Sequence, residues 1–185
     1  MKKRCEWTKE DALMNEYHDS EWGVPVHDDQ KHFEFLVLDA FQAGLSWKTI
    51  LYRREGFRKA FANFNVEKVA KFTDKQIEKL MKDESIIRNR LKITGTIKNA
   101  KAFISIQQEF GSFDKYIWQF TNHKTLIGKR KTLKDIPATS KESDAMSKDL
   151  KKRGFTFVGS TICYAYMQAA GMVNDHTIDC FRFQM

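Results

Sequence analysis

Four residues near the two ends of the chain carry metal-binding chemistry: Cys5 and His18 on one side, His176 and Cys180 on the other. Each pair offers one thiolate and one imidazole, and two of each make a complete tetrahedral set for zinc. The H-x3-C pair suits one face of a helical turn, whereas C-x12-H is not a standard finger spacing. Spacing alone therefore leaves free structural cysteines and exposed histidines as an open alternative. If the four converge, one ion ties together segments separated by nearly the whole sequence. Cys163, within Thr161-Ile162-Cys163-Tyr164, reads as a buried helix thiol and not a fifth ligand. His27, His32 and His123 have no supporting pattern and read as surface residues.

A second centre of interest is Leu36-Val37-Leu38-Asp39-Ala40-Phe41-Gln42-Ala43-Gly44-Leu45-Ser46-Trp47, in which Asp39 is the only charge. Burying a carboxylate is costly unless it meets a partner or a cationic ligand. An ion pair with an arginine, or a cap, is the bland alternative. Trp47 offers a stacking surface or a core filler. Tyr17-His18-Asp19-Ser20-Glu21-Trp22-Gly23 adds two aromatics beside a candidate ligand, or forms an amphipathic turn held by Trp22. Trp7 lies close to Cys5 and packs there in either case. A third run, Leu150-Lys151-Lys152-Arg153-Gly154-Phe155-Thr156-Phe157-Val158-Gly159-Ser160-Thr161, reads as helix, glycine-bounded turn, helix. Gly159 permits close backbone approach, and free amides at the start of the next helix can hold a phosphate. Lys151, Lys152 and Arg153 add phosphate attraction, or merely suit the end of a helix.

The elements that must position these residues are helical. Phe33, Leu36, Val37, Ala40, Phe41 and Gly44 follow i, i+3, i+4, i+7 spacing. Ser46 caps the next helix, Thr73 and Gln76 form a capping box, and Ile93 to Ile104 mark a longer helix ending at Gly111. Ser112 opens a short aromatic helix. Residues 123–142 read as a polar connecting loop, and the one β-like fragment, 155–158, is too short for a sheet. The chain is thus predicted all-α. Its 185 residues, 42% hydrophobic and 30% charged, suit one globular unit with a real core. The net charge of +8 points to a polyanionic partner, nucleic acid first, with a solvated lysine surface as the alternative. No apolar stretch is long enough to span a membrane, and no amphipathic helix with a basic face suggests a membrane surface. Three cysteines without a signal peptide point to the reducing cytoplasm.

Together these segments resemble the 3-methyladenine DNA glycosylase I family, the constitutive alkylation-repair glycosylases of bacteria. The resemblance covers almost the full length. It rests on Cys5-Glu6-Trp7, Tyr17-His18-Asp19 to Gly23-Val24-Pro25, Gln42 to Trp47, Ile86-Ile87-Arg88-Asn89-Arg90, the run Lys151 to Gln168, and Val173-Asn174-Asp175-His176. It implies a helix-hairpin-helix DNA glycosylase fold whose N- and C-termini are stapled by one structural Zn2+ on Cys5, His18, His176 and Cys180. It implies a single unit, 1–185, in two lobes: segments of about 1–30 and 140–185 carrying the hairpin 150–170, and a central lobe of about 31–125. Asp39 would be the catalytic acidic residue, with Tyr17, Trp47, Trp7 and Trp22 binding the base. Gly44, Leu45, Lys151, Lys152, Arg153, Gly159, Ser160 and Thr161 would meet DNA, with Leu45 filling the vacated stack. The expected partner is double-stranded DNA containing 3-methyladenine, and the expected state is a monomer in the bacterial cytoplasm.

Two positions depart from the family pattern. Asp39 stands where the family has Glu, which shortens the carboxylate's reach by roughly 1.5 Å. Ser85 stands where a Gly often precedes the Ile-Ile-Arg run, which matters only if that turn needs a positive φ. Asn174 occupies the place where many helix-hairpin-helix glycosylases have a catalytic Asp. A neutral amide cannot serve as a general base, so the expected substrates are labile cationic bases alone, without lyase chemistry. A zinc-stapled protein that recognises distorted DNA without catalysis is the competing expectation.

Overall fold

Ten consecutive residues of helix α2 (Asp29–Gln42), from His32 to Phe41, are buried. A helix covered on all sides must be the axis of its domain, and the computed structural model, which describes residues 2–183, shows what covers it. Helices α10 (Ser160–Ala169), α7 (Arg90–Phe110), α3 (Trp47–Tyr52) and α8 (Phe113–Trp118) all pack against α2. Phenylalanines fill the joints: Phe33 meets Phe103 edge-on at 5.4 Å, Phe103 stacks on Phe113 at 4.0 Å, and Phe41 meets Phe57 at 4.8 Å. Around this core run α1 (Ala12–Ser20), α4 (Arg54–Ala60), α5 (Val66–Ala70), α6 (Asp74–Leu80) and α9 (Lys141–Lys152).

The caps read from sequence are present. Ser46 accepts the Thr49 amide, Thr73 and Gln76 form their box, Ser112 accepts the Lys115 amide, and Gly111 ends α7 at φ +84°. The expected all-helical architecture needs one amendment. Two two-residue strands, β1 (Leu126–Ile127) and β2 (Val173–Asn174), pair in parallel. The polar segment 123–142 is therefore not a bare connection. It lies against buried chain, and the Leu126 and Gly128 amides are satisfied by the Met172 and Asn174 carbonyls at 2.9 and 2.8 Å. Residues 155–158, the fragment that looked β-like, form a turn. His32 is not on the surface: it is buried between the Tyr166 hydroxyl at 2.6 Å and Asp114 at 3.1 Å.

Helices α9 and α10 pack together across the turn 153–159. The positive φ of that turn falls on Gly154 (+92°) and Phe157 (+56°), whereas Gly159 sits at −61°. Asn99 of α7 clamps the turn from outside the hairpin. Its amide donates to the Thr156 carbonyl at 2.9 Å, and its carbonyl accepts the Thr156 amide at 2.8 Å. Gly95, one turn earlier, makes room: a Cβ there would stand 2.9 Å from both Phe157 Cε2 and Thr156 Oγ1. Among the described residues no helix is long and apolar enough to cross a membrane.

Candidate functional site

Three of the four distant metal-type residues converge. The ligand atoms of Cys5, His18 and Cys180, all buried, lie within 4.8 Å of one another. The backbones meet beside them, with the Phe181 amide donating to the Lys3 carbonyl at 2.9 Å. His18 Nε2 faces Cys180 Sγ at 3.4 Å, while its Nδ1 is held by Asp19 at 2.8 Å, and Arg4 in turn grips Asp19. That carboxylate fixes ring orientation and leaves Nε2 for a metal. His176 packs edge-on against His18, ring centroids 4.9 Å apart. Its Nδ1 is bonded to Asn174 Oδ1 at 2.9 Å, and its Nε2 is buried without a partner. Burial pushes the Cys5 thiol up to about 12, so a cation is what would hold it as thiolate. Two thiols and an oriented imidazole nitrogen are donors of the kind that hold a metal ion, and the orphaned His176 nitrogen, outside that group, belongs to the neighbouring ring.

Asn174 is committed to this cluster. Its carbonyl accepts from the His176 backbone amide as well as meeting the ring. Gly23, at φ +77°, lies against the His176 ring, where a Cβ would approach Cε1 to 2.9 Å. Trp22 is the partition behind the cluster, 4.6 Å from the His176 ring and 5.1 Å from Trp7.

Beyond that partition opens a cavity of about 750 Å³. Tyr17, Trp22, Trp7, Trp47 and Asp39 all line it, which brings together every base-binding residue expected from sequence. Tyr17 and Trp47 stand 5.1 Å apart with planes tilted by 45°. Asp39, only 2% exposed, has an Oδ2 with no hydrogen-bond partner. The nearby cations are used elsewhere. Arg54 is shared between Glu21 and Glu34 at 2.7 Å each, and Lys48 is paired with Asp11 at 2.6 Å. The ion pair offered as the bland reading of Asp39 is thus not formed, and burial alone pushes its carboxyl well above the usual range. The indole nitrogens of Trp7 and Trp47 are buried and unpartnered as well. Buried polar atoms are ordinarily satisfied. Three orphans around one aromatic cavity describe a site whose polar partners arrive with a ligand.

The joint between α2 and α3 projects from this cavity. Gly44 takes φ +82°, and Leu45 follows, 42% exposed. Sequence reasoning missed what holds the joint. Lys92 of α7 is buried, and its ammonium donates to the Phe41 and Ala43 carbonyls at 2.8 and 2.7 Å. It caps the end of α2, where the helix dipole favours a cation.

In the hairpin, Lys151 and Lys152 are exposed, as is Thr161. No atom lies within 4 Å of a Cβ placed on Gly159, so its backbone faces open space. Arg153 departs from the expected role. Its guanidinium is taken by Asp149 at 2.8 Å and Glu109 at 2.7 Å, and it stacks over Phe110 and Tyr116. The Ser160 hydroxyl is likewise engaged by Ser143 and Asp144. Ser85 has no positive φ, so its side chain costs that turn nothing. The cavity also takes Gln42, Gln168, Leu133 and Ile136, which were not singled out. Leu133 and Ile136 carried a signal, as two of the four large apolar residues in the mostly polar segment 123–142.

The whole chain has close counterparts. The family model described as methyladenine glycosylase matches residues 7–183. DNA-3-methyladenine glycosylase 1 of Escherichia coli (strain K12) is 48% identical over 177 residues, covering 96% of this chain and 95% of that protein. DNA-3-methyladenine glycosylase of Haemophilus influenzae is 44% identical over 180 residues, 97% of each. A crystal structure of 3-methyladenine DNA glycosylase I matches with TM-score 0.95 at 44% identity, covering 97% of this chain and 99% of that one. A tyrosine-to-phenylalanine variant of such a glycosylase, in complex with 3-methyladenine, matches with TM-score 0.93 at 34% identity over 96% of both chains.

Proposed function

The chain belongs to the methyladenine glycosylase family, and from that premise we propose that it hydrolyses the N-glycosidic bond of 3-methyladenine in DNA. The observation that carries the reading is the unpartnered carboxyl of Asp39 at the wall of an aromatic cavity. A 3-methylated adenine still joined to its sugar is a cation. It supplies the charge Asp39 lacks, and its amino edge supplies a hydrogen-bond donor. Trp47 and Tyr17 add cation–π contact, worth about 0.5–2 kcal/mol each. A neutral adenine offers no such charge, so the pocket selects the damaged base.

The base must leave the helix to reach this cavity, as in other enzymes that act on a base. Leu45, exposed beside the cavity, would occupy the vacated stack. The exposed Lys151 and Lys152, with the backbone from Gly159 to Thr161, would hold phosphate in a helix-hairpin-helix manner. Arg153 and Ser160 support the hairpin from within. Hydrolysis adds water at C1′, and N9 departs with the bonding pair, which neutralises the ring. The added water's proton goes to solvent. No protein base is required, and Asn174, committed to His176, offers none. The Asp11 carboxylate keeps the amine of Lys48 protonated, which suits a monofunctional enzyme without Schiff-base chemistry.

Cys5, His18, His176 and Cys180 would hold one structural zinc ion. A complete protein shell leaves no position for a water nucleophile, so the ion supplies geometry to the Trp22 partition. The substrate in this reading is double-stranded DNA, the enzyme is a monomer, and the compartment is the bacterial cytoplasm. The test is release of free base from methylated DNA by purified protein, with Asp39→Asn and Asp39→Glu alongside. The reading expects 3-methyladenine and no 7-methylguanine. Tight binding to distorted duplex with no base released would instead identify a non-catalytic DNA-binding protein.

A further inference from the structure

Two lysines border the cavity without an ion-pair partner. Lys9 lines it directly and is exposed. Lys134 sits in a short turn, Leu133–Asp135, whose flanking residues Leu133 and Ile136 line it, and Lys134 is exposed too. Neither forms a salt bridge among the described residues, whereas Lys48, the third lysine at this cavity, is spent on Asp11.

The backbone that carries each is tied down. Lys9 and Glu10 are consecutive non-glycine residues with φ of +48° and +59°. That conformation is uncommon outside glycine. It is held by the Lys9 amide on the Glu6 carbonyl and the Asp11 amide on the buried Thr8 carbonyl, 3.3 and 3.0 Å. The acid beside Lys134 is already consumed: Asp135 accepts the Lys131 and Thr132 amides and the Thr132 hydroxyl, at 3.0, 2.7 and 3.2 Å. The segment is further anchored by β1 and by Arg130 on Asp175 at 2.8 Å.

A nucleotide whose base enters this cavity draws its own flanking phosphates to the cavity's mouth. We propose that Lys9 and Lys134 form a phosphate clamp at that mouth, separate from the hairpin, gripping the backbone of the nucleotide whose base is inside. The inference rests on the glycosylase reading, since it takes the occupant of the cavity to be a base still attached to DNA.

Counterion release makes the clamp measurable, because a protein that neutralises one phosphate fewer has a slope of log K against log salt shallower by about 0.9. Binding of a duplex bearing a non-hydrolysable 3-methyladenine analogue would be titrated over a range of KCl concentrations. The proteins are wild type, Lys9→Gln, Lys134→Gln, the double variant, and Lys75→Gln on α6, with melting temperatures alongside. Each clamp variant is expected to lose about 0.9 of slope and roughly fivefold in affinity near 0.15 M salt, and the double variant about twice that slope. Lys9→Arg and Lys134→Arg should restore the wild-type slope. A double variant with wild-type slope, or a Lys75→Gln loss of equal size, overturns the clamp. Base release by the wild type is scored separately. Its absence defeats the glycosylase reading, whereas base release with an unchanged slope defeats the clamp alone.

Discussion

Replacing Asp39 by Asn keeps the shape of the side chain and removes its capacity for charge. In the folded protein burial raises the carboxyl well above its ordinary value, and nothing in the protein offsets that. The folded state therefore binds the proton more tightly than the unfolded chain does. Below the unfolded value, near pH 4, Asp39 is protonated in both states and has no differential effect. As pH rises, the unfolded chain ionises first and the wild type loses stability until the folded carboxyl also ionises. About three pH units separate the unfolded value from neutrality, which caps the loss at pH 7 at about 4 kcal/mol. Asn does not titrate, and its buried amide resembles the protonated acid in desolvation cost. Asp39→Asn should thus match the wild type near pH 4 and exceed it at pH 7 by up to about 4 kcal/mol. That gap corresponds to as much as about 8–16 °C in melting temperature for a chain of this size. Urea or thermal unfolding of both proteins from pH 4 to 8 measures it. The same variant should release 3-methyladenine at least tenfold more slowly, since hydrogen bonds to charged groups contribute about 1.5–3 kcal/mol. A stability difference that does not change with pH, or a less stable variant at pH 7, would refute the claim that Asp39 waits for a cationic partner.

Other perturbations probe the scaffold. A strong chelator should lower the melting temperature and speed proteolysis near Cys5 and Cys180, with one zinc released per chain and reversal on adding zinc back; abolished activity with unchanged melting would contradict a structural ion. Lys92→Met removes two charge-assisted hydrogen bonds at the end of α2 and should cost about 3 kcal/mol, read as a drop of about 6–12 °C. Gly95→Ala drives a methyl into Phe157 and Thr156 and should cost about 1–3 kcal/mol by overpacking, with weakened DNA binding through the displaced hairpin turn. Although Glu21 is partly buried, Arg54 and Lys31 hold it down to about 2. Its contribution is therefore full above about pH 4.5 and fades as pH falls toward 2, and Glu21→Gln should flatten the acid limb of the stability curve in that window.

Features set by local chemistry were legible before the fold was known. Caps at Ser46, Thr73 and Ser112 are decisions of three or four neighbouring residues, and the apolar spacing of α2 marks one stripe of a helix that packing then covers all round. The convergence of Tyr17, Trp47, Trp7 and Trp22 with Asp39 was legible only through resemblance, since no spacing rule relates residue 7 to residue 47. What stayed hidden is what tertiary contact decides. His32 carries no local mark of burial, because its partners Tyr166 and Asp114 are far along the chain. The pairing of Leu126 with Val173 depends on which segment happens to lie alongside. Arg153 looked like one more hairpin cation, and only the approach of Glu109 from α7 and the Phe110 and Tyr116 rings reassigned it. Lys92 and Asn99 sit inside a helix whose sequence says nothing of the carbonyls they meet.

The meeting of Cys5 with Cys180 also makes the site depend on contacts of very long range. The Thr177 amide donates to Cys5 Sγ across a sequence separation of 172 residues. Trp7 meets Tyr17 and Trp22 within the first described residues, whereas the His176 ring reaches the other side of Trp22 only across that long separation. Contacts of such long range are the slowest to form, because loop closure must precede their reward. A fragment ending before Ala165 would hold most of the helices and lack part of the pocket wall. Completion of the cavity thus waits on contacts between residues far apart in sequence, since Trp7, Tyr17, Asp39 and Trp47 share its wall with Ala165 and Gln168.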